Sequence, residues 1–400
     1  MTILIADAFS EDGTQQFREA GHTVVSDPGL KGEALTAALA EHAPDILIVR
    51  STGVTPADPD ASSGLELIVR AGAGYDTIDV AGASQRGIFV ANCPGKNAAA
   101  VAELAFGLIL GLDRRIPDNV SEARQGRWNK GGFSKAFGVK GCTLGLIGLG
   151  NIGQEMVPRA KAFGMHVVAW SRSLTDETAA DLGVARMESP EAVAGASDIV
   201  SVHVASTPAT EGLVGGAVFE AMAPKTFLIN TSRAAVVDEE AARRAMEEKD
   251  IRFATDVPSG EPSAKEGAFD HPLAAHPNFY VTHHIGASTE QATEAIGQEA
   301  VRVVTTYAET GRVPNCVNLA EQSPATHLLT VRHHDRVGVL AGVLDAARQA
   351  GWNVQEMENL IFAGAEAACA RIRFDGEEDD ATLQAIRAQD HVLAASVIAL

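Results

Sequence analysis

The chain has 400 residues, 46% hydrophobic and 21% charged, the balance of a well-cored globular protein with room for two to four domains at about 100–200 residues each. A formal charge of −20 disfavours electrostatic attraction to nucleic acid or to an anionic membrane, and neither partner is expected. Four dispersed cysteines, Cys93, Cys142, Cys316 and Cys369, form no CxxC pair, which argues against a disulfide framework or a zinc ribbon; no metal site is expected.

The opening residues 1–7 lack the basic region of a signal peptide, and the most apolar stretch, 98–112, is interrupted by Glu103 and falls short of the ~20 residues that span a bilayer. A cytoplasmic protein is the expectation. Short apolar runs at 3–6, 23–25, 46–49, 67–69 and 88–90 predict buried strands, with helical patterns at 14–20, 34–41 and 77–86 between them. Such alternation predicts a parallel sheet covered on both faces. A longer helix, 98 to about 112, leads into the polar, glycine-bearing stretch 113–140, predicted to be an arm or connection. Its aromatics Trp128, Phe133 and Phe137 are expected to bury against a partner subunit, or else to cap their own domain.

A second α/β pattern follows, with strands at 143–147, 167–170, 199–204, 226–230, 253–256 and 280–282, a helix at 289–305 and a hinge-like stretch at 311–314. From 325 onward the order changes to strand (327–332), helix (337–350), strands (354–362 and 367–374), helix (380–388) and strand (392–399). That βαββαβ order is the ferredoxin-like plan. The predicted fold is therefore α/β, with two Rossmann-like doubly wound parallel-sheet domains and a C-terminal ferredoxin-like domain.

The sharpest local signal is Gly148-Leu149-Gly150-Asn151-Ile152-Gly153, which follows a predicted strand and opens a helix. Gly148 permits the tight turn, Gly150 lets the backbone approach a pyrophosphate, and Gly153 allows close helix–sheet packing; the amides of Asn151 and Ile152 lie at the helix N-terminus. NAD-binding sites of this kind carry an acid at the end of the next strand, to hold the ribose hydroxyls. Here that position reads Ser171-Arg172-Ser173. A hydroxyl and a guanidinium suit a 2′-phosphate, although Arg172 stacking on adenine is the alternative, so NAD and NADP both stand as cofactors.

Three further segments, 230–239 (Asn-Thr-Ser-Arg-Ala-Ala-Val-Val-Asp-Glu), 256–262 (Asp-Val-Pro-Ser-Gly-Glu-Pro) and 282–289 (Thr-His-His-Ile-Gly-Ala-Ser-Thr), occur in that order after the glycine motif. Together they resemble the signature blocks of the D-isomer-specific 2-hydroxyacid dehydrogenases, over residues 1 to about 318. The last domain resembles an ACT module. The resemblance implies a substrate-binding domain from 1–96 and 286–318, a dinucleotide-binding domain from 97–285 and an ACT-like regulatory domain from 325–400. It also implies that Arg233 clamps the substrate carboxylate and carbonyl, that Glu261 partners the catalytic histidine and that His284 is the acid/base. The chemistry agrees: oxidising a secondary alcohol needs a base near neutrality, a carboxylate orients it, and arginine matches a carboxylate in two-toothed fashion. Two departures stand out. His283 replaces the family's proline, giving a tandem pair in which motif register selects His284, and Ala234 replaces a glycine.

By the same carry-over Asp256 is expected at the nicotinamide carboxamide and the loop carrying Gly74 and Tyr75 at the substrate carboxylate. Arg50, Arg70 and Lys130 stand where phosphate-facing residues occur, implying a small anionic 2-hydroxy or 2-keto acid. The ACT combination points to 3-phosphoglycerate; hydroxypyruvate, glyoxylate and 4-phosphoerythronate are alternatives. A cofactor-sensing scaffold with little turnover is a rival of another class, which would not need Arg233, Glu261 and His284 together. The family also implies a homodimer or homotetramer and, at the ACT module, an amino-acid effector, serine first, held by His333, Asp335 and Asn353 between two such modules.

Overall fold

A computed structural model describes residues 1–262 and 266–400, in two compact units, Met1–Asn318 and Leu319–Leu400. The first unit opens with strands β1 (Thr2–Ile5), β2 (Thr23–Ser26), β3 (Ile46–Val49), β4 (Leu67–Arg70) and β5 (Phe89–Asn92), separated by helices α1 (Glu11–Glu19), α2 (Glu33–His42), α3 (Ala57–Ala61) and α4 (Val80–Gln85). The strands pair in parallel in the order β2-β1-β3-β4-β5. Side chains alternate across them, so Leu4 and Leu47 bury against Leu35 and Leu39 of α2, whereas Ile3, Ile5 and Ile48 bury on the other face with Phe17 of α1.

Two long helices follow different routes. Helix α5 (Ala98–Arg114) leaves the first sheet and lays Ala102, Ala105, Phe106 and Ile109 on the second. It is followed by α6 (Ile116–Arg124), β6 (Thr143–Ile147), α7 (Asn151–Ala162), β7 (His166–Trp170), α8 (Asp176–Leu182), β8 (Ala185–Arg186), α9 (Pro190–Gly195), β9 (Ile199–Val202), α10 (Gly216–Ala221), β10 (Phe227–Asn230), α11 (Glu239–Lys249), β11 (Arg252–Thr255) and β12 (Phe279–Val281). These strands make a parallel sheet in the order β12-β11-β10-β9-β6-β7-β8, reversing direction of growth at β6, where the glycine turn lies. Helix α12 (Glu290–Thr310) then returns and seats Ile296, Ala300, Val303 and Val304 in the core of the first sheet. Among the described residues no helix is long and apolar enough to cross a membrane.

Several predicted bounds move for local reasons. Helix α1 starts at Glu11 rather than 14 because Ser10 caps it, accepting from the Gly13 amide. Only Val80–Gln85 of the predicted 77–86 helix is helical, since Asp79 is its cap. The predicted connection 113–140 contains a true helix, α6, with Pro117 in its first turn and no buried residue.

The second unit comprises β13 (His327–His334), α13 (Val339–Gln349), β14 (Asn353–Ile361), β15 (Ala367–Asp375), α14 (Asp380–Arg387) and β16 (Val392–Ala399). Its antiparallel sheet has the order β14-β15-β13-β16, the split βαβ arrangement its element order predicts. Leu329, Val331, Ile372 and Phe374 form its core with Val343 of α13 and Ile386 of α14; the Trp352 ring stacks on Phe374 at 4.2 Å.

Candidate active site

The first unit holds a cleft of about 1790 Å³ walled by strand ends of both sheets. Arg50, Arg70, Gly74 and Tyr75 line it from the first sheet; Ile152, Arg233, Asp256, Glu261 and His284 line it from the second. The sequence-predicted residues that come together are therefore these nine.

His284 sits in a left-handed backbone conformation, φ +52°, which costs a residue with a Cβ about 1–2 kcal/mol. Asp256 holds the turn. Its carboxylate accepts from the Thr282 hydroxyl at 2.6 Å and from the amides of Ile285 and Gly286 at 2.9 and 2.8 Å, while its carbonyl accepts from the His284 amide at 2.9 Å. This buried aspartate, expected at the cofactor amide, thus organises the loop and also lines the cleft. The His284 Nδ1 lies 3.0 and 2.9 Å from the two carboxylate oxygens of Glu261. Glu261 is thus an acceptor for Nδ1–H, leaving Nε2 as the ring nitrogen that can take a proton. His283 is exposed and, among the described residues, makes no side-chain hydrogen bond and does not line the cleft.

Arg233 is gripped by a residue the sequence reading missed. Its Nε and Nη2 donate to the two oxygens of Asp76 at 3.0 and 2.9 Å, and its Nη1 donates to the Ser232 carbonyl at 2.8 Å. This hydrogen bonding holds the Asp76 carboxyl below the usual carboxylate range. The pair spans the cleft, because Asp76 follows β4 and Arg233 follows β10. Its only sequence signal was an acid two positions beyond Gly74. The glycines of this loop make room for the guanidiniums: a Cβ on Gly74 would lie 2.2 Å from Arg233 Nη2, and one on Gly72 would lie 1.3 Å from Arg70 Nη1. Burial and the neighbouring Arg233 push the Arg70 guanidinium down to about 10, and its Nε is buried without a partner among the described residues. Arg50 donates across the cleft to the Ala287 carbonyl at 3.4 Å.

The glycine turn divides into two kinds of position. Gly148 has φ +99° and a Cβ there would sit 2.5 Å from the His203 carbonyl; a Cβ on Gly153 would sit 2.4 Å from the Gly148 carbonyl. Gly150 is different, since a Cβ would meet nothing within 4 Å. It caps α7 without a side-chain bond and faces open space beside Asn151 and Ile152. Demand for glycine there comes from whatever approaches the backbone, as a dinucleotide pyrophosphate does. His203 beside the turn is buried, bonds Ser201 through Nε2 at 2.8 Å and is driven down to about 3 by burial. Ser171 and Arg172 follow β7, the strand next to β6, with Arg172 exposed and neither side chain hydrogen-bonded among the described residues.

Other predicted residues fall elsewhere. Lys130 is exposed and does not line the cleft. Of the arm aromatics, Phe137 packs on Phe227 at 4.8 Å and Arg115 lies 5.3 Å over the Phe133 ring, so both contact their own domain; Trp128 is 89% exposed. In the second unit, His333 is buried, with Nδ1 2.8 Å from the His334 carbonyl and Nε2 3.2 Å from the Asn359 side chain. Asn353 pairs with Asp375 and His333 with Ala368, about 24 Å apart along β15 at roughly 3.4 Å per residue. His333, Asp335 and Asn353 therefore do not meet within one chain. Among the described residues no cluster of metal-ligating side chains occurs.

Comparison with known proteins places the chain in a family. Residues 106–286 match the family described as D-isomer specific 2-hydroxyacid dehydrogenase, NAD binding domain. The chain is 35% identical over 319 residues to a D-3-phosphoglycerate dehydrogenase of Methanocaldococcus jannaschii, covering 79% of this chain and 59% of that protein. It thus spans about three-fifths of the length of that relative. A hydroxypyruvate reductase of Thermotoga maritima is 35% identical over 302 residues, covering 75% of this chain and 96% of the relative. Among solved structures, an NAD+-bound 3-phosphoglycerate dehydrogenase of Entamoeba histolytica superposes with a TM-score of 0.67 at 27% identity, over 80% of this chain and 99% of that one. The chain belongs to the D-isomer-specific 2-hydroxyacid dehydrogenase family.

Proposed function

We propose that the protein is an NAD(P)-dependent dehydrogenase of a small D-2-hydroxy acid that carries a second anionic group, with 3-phosphoglycerate as the candidate substrate. The observation that carries the reading is the His284–Glu261 pair in one cleft with Arg233 and with Ile152 of the glycine turn. Gly148, Gly150, Gly153, Asn151 and Ile152 would hold the dinucleotide, with Ser171 and Arg172 at its ribose end. When bound, the nicotinamide supplies the hydride acceptor. His284 Nε2 takes the hydroxyl proton, and Glu261 keeps Nδ1 protonated and stabilises the imidazolium that results. Arg233 binds the carboxylate and polarises the oxygen at C2. Closure of the cleft walls excludes water.

Arg70 and Arg50 favour the second anionic group. Of the three guanidiniums that line the cleft, only Arg233 is ion-paired, with Asp76, among the described residues, and the Arg70 Nε is buried with no partner among them. Lys130 would serve this group only from a neighbouring subunit, and exposed Trp128, with an α6 that has no fully buried residue, supports a dimer through this part of the chain. The second unit is read as an ACT module. Because its three effector candidates lie apart within one chain, an amino acid would bridge them only between two modules. The relative from Thermotoga maritima favours hydroxypyruvate as a second reading. A kinetic panel of 3-phosphoglycerate, 4-phosphoerythronate, hydroxypyruvate and glyoxylate with both cofactors tests the proposal. Higher kcat/KM for the phosphorylated acids supports it; preference for glyoxylate refutes the second anion site, and no turnover of any acid favours a cofactor-sensing scaffold.

A further inference from the structure

A second histidine cluster lies beside the cleft and takes no part in the chemistry above. His271 is buried, its ring stacked against Phe269 at 5.5 Å and Phe279 at 5.2 Å. Its Nε2 lies 3.1 Å from a carboxylate oxygen of Glu239 and 3.2 Å from the Ser259 hydroxyl. The Ser259 hydroxyl also donates to Glu239, and the Ser259 amide donates to the other Glu239 oxygen at 3.1 Å.

Serine, histidine and glutamate in contact suggest a nucleophile, but the hydrogen bonding rules one out. The His271 Nδ1 accepts from the Leu273 amide at 3.2 Å, so the proton of the neutral ring resides on Nε2. A ring nitrogen already bearing its proton donates to Ser259 and Glu239 and takes none from the serine. Two phenylalanine rings stack against the imidazole. What the cluster does is mechanical: it ties the first turn of α11, the loop after β11 and the segment before β12 to one point.

That point is two residues from Glu261. We propose that Glu239, Ser259 and His271 are positioning residues that fix the Ser259-Gly260-Glu261 loop, and so hold the Glu261 carboxylate on His284 Nδ1. Glu261 itself needs such a tether: it is exposed, its one hydrogen-bond partner among the described residues is His284, and Gly260 before it has φ +66°. A carboxylate on an unanchored loop spends part of its time away from the imidazole, and displacement by about 1 Å at a catalytic pair costs up to 10²-fold in rate.

The inference rests on the reading of Glu261 and His284 as the proton-handling pair, so the experiment includes Glu261→Gln and His284→Ala. If neither lowers turnover, that reading fails before the anchor is reached. Given that both do, Glu239→Gln sets an amide donor against either the His271 Nε2–H or the Ser259 N–H, whichever way the amide turns, and breaks the cluster without changing its volume. We expect kcat to fall about tenfold, with KM for the acid and the Kd for reduced cofactor within twofold. The pH profile of kcat/KM moves in the direction that Glu261→Gln moves it. In the double variant Glu239→Gln/Glu261→Gln the two losses do not add. Ser259→Ala, at an exposed position, repeats the test with a loss of about threefold should Glu239→Gln fold poorly. Unchanged kcat in Ser259→Ala and Glu239→Gln, an unmoved pH profile, or full additivity with Glu261→Gln overturns the proposal.

Discussion

The glycine turn separates the demands of folding from those of cofactor binding, and two single-methyl additions tell them apart. In Gly153→Ala the new Cβ would sit 2.4 Å from the Gly148 carbonyl, which is backbone and has no rotamer to yield. Relief requires moving α7 off the turn, and overpacking of this kind costs about 1–3 kcal/mol. In Gly150→Ala the Cβ meets no protein atom within 4 Å, and the local φ of −75° is one alanine adopts freely. Less freedom in the unfolded chain then makes this variant as stable as the parent or more so, by up to about 1 kcal/mol. The same methyl projects where a pyrophosphate would approach, so we expect the affinity for reduced cofactor to fall at least tenfold, about 1.4 kcal/mol. Thermal melts without cofactor and fluorescence titration with NADH and NADPH read the two effects separately. Gly150→Ala binding both cofactors as the parent does, or losing as much stability as Gly153→Ala, would refute the reasoning.

Of the tandem histidines, His284→Ala is expected to cost about 10²-fold or more in kcat and His283→Ala far less, since only His284 meets Glu261; the reverse order in steady-state assays would show the register to be wrong. Asp76→Asn is expected to raise KM for the acid more than it lowers kcat, because Arg233 loses a two-toothed partner and its orientation; an unchanged KM contradicts this. With Ser171-Arg172 in place of an acid, NADPH is expected within about tenfold of NADH in kcat/KM, and Ser171→Asp should shift preference toward NADH by repelling a 2′-phosphate. A parent enzyme preferring NADH by a hundredfold excludes Arg172 as a phosphate ligand. Finally, His203 is held neutral by burial, its pKa lowered from 6.5 to about 3. Protonation between those values therefore favours the unfolded chain, and the contribution is full above pH 6.5 and declines as pH falls toward 3. At pH 5 the loss is about 2 kcal/mol, so urea melts at pH 7.5 and 5 should differ less for His203→Gln than for the parent; equal differences would contradict the assignment.

Local pattern carried much of this architecture into the sequence. The apolar runs of β1, β3 and β4 are buried on both sides and read as such, and Gly148 and Gly153 are glycines for reasons of backbone space that the motif already encodes. The order of the blocks bearing Arg233, Glu261 and His284 likewise named the candidates before any geometry was known. Tertiary structure decided what those residues touch. Asp76 reaches Arg233 across 157 positions of sequence, and no periodicity signals a contact made only when two sheets face each other over a cleft. The resemblance named Asp256 for the cofactor, and only the fold shows that its carboxylate also holds the 282–286 loop in which His284 takes its left-handed turn. Chain order put His333 and Asn353 only twenty positions apart, but the antiparallel register sends them to opposite ends of the sheet. Sequence determines which side chains can do chemistry and which local conformations they prefer; which of them share a site depends on long-range packing, because only the fold converts separation along the chain into distance in space.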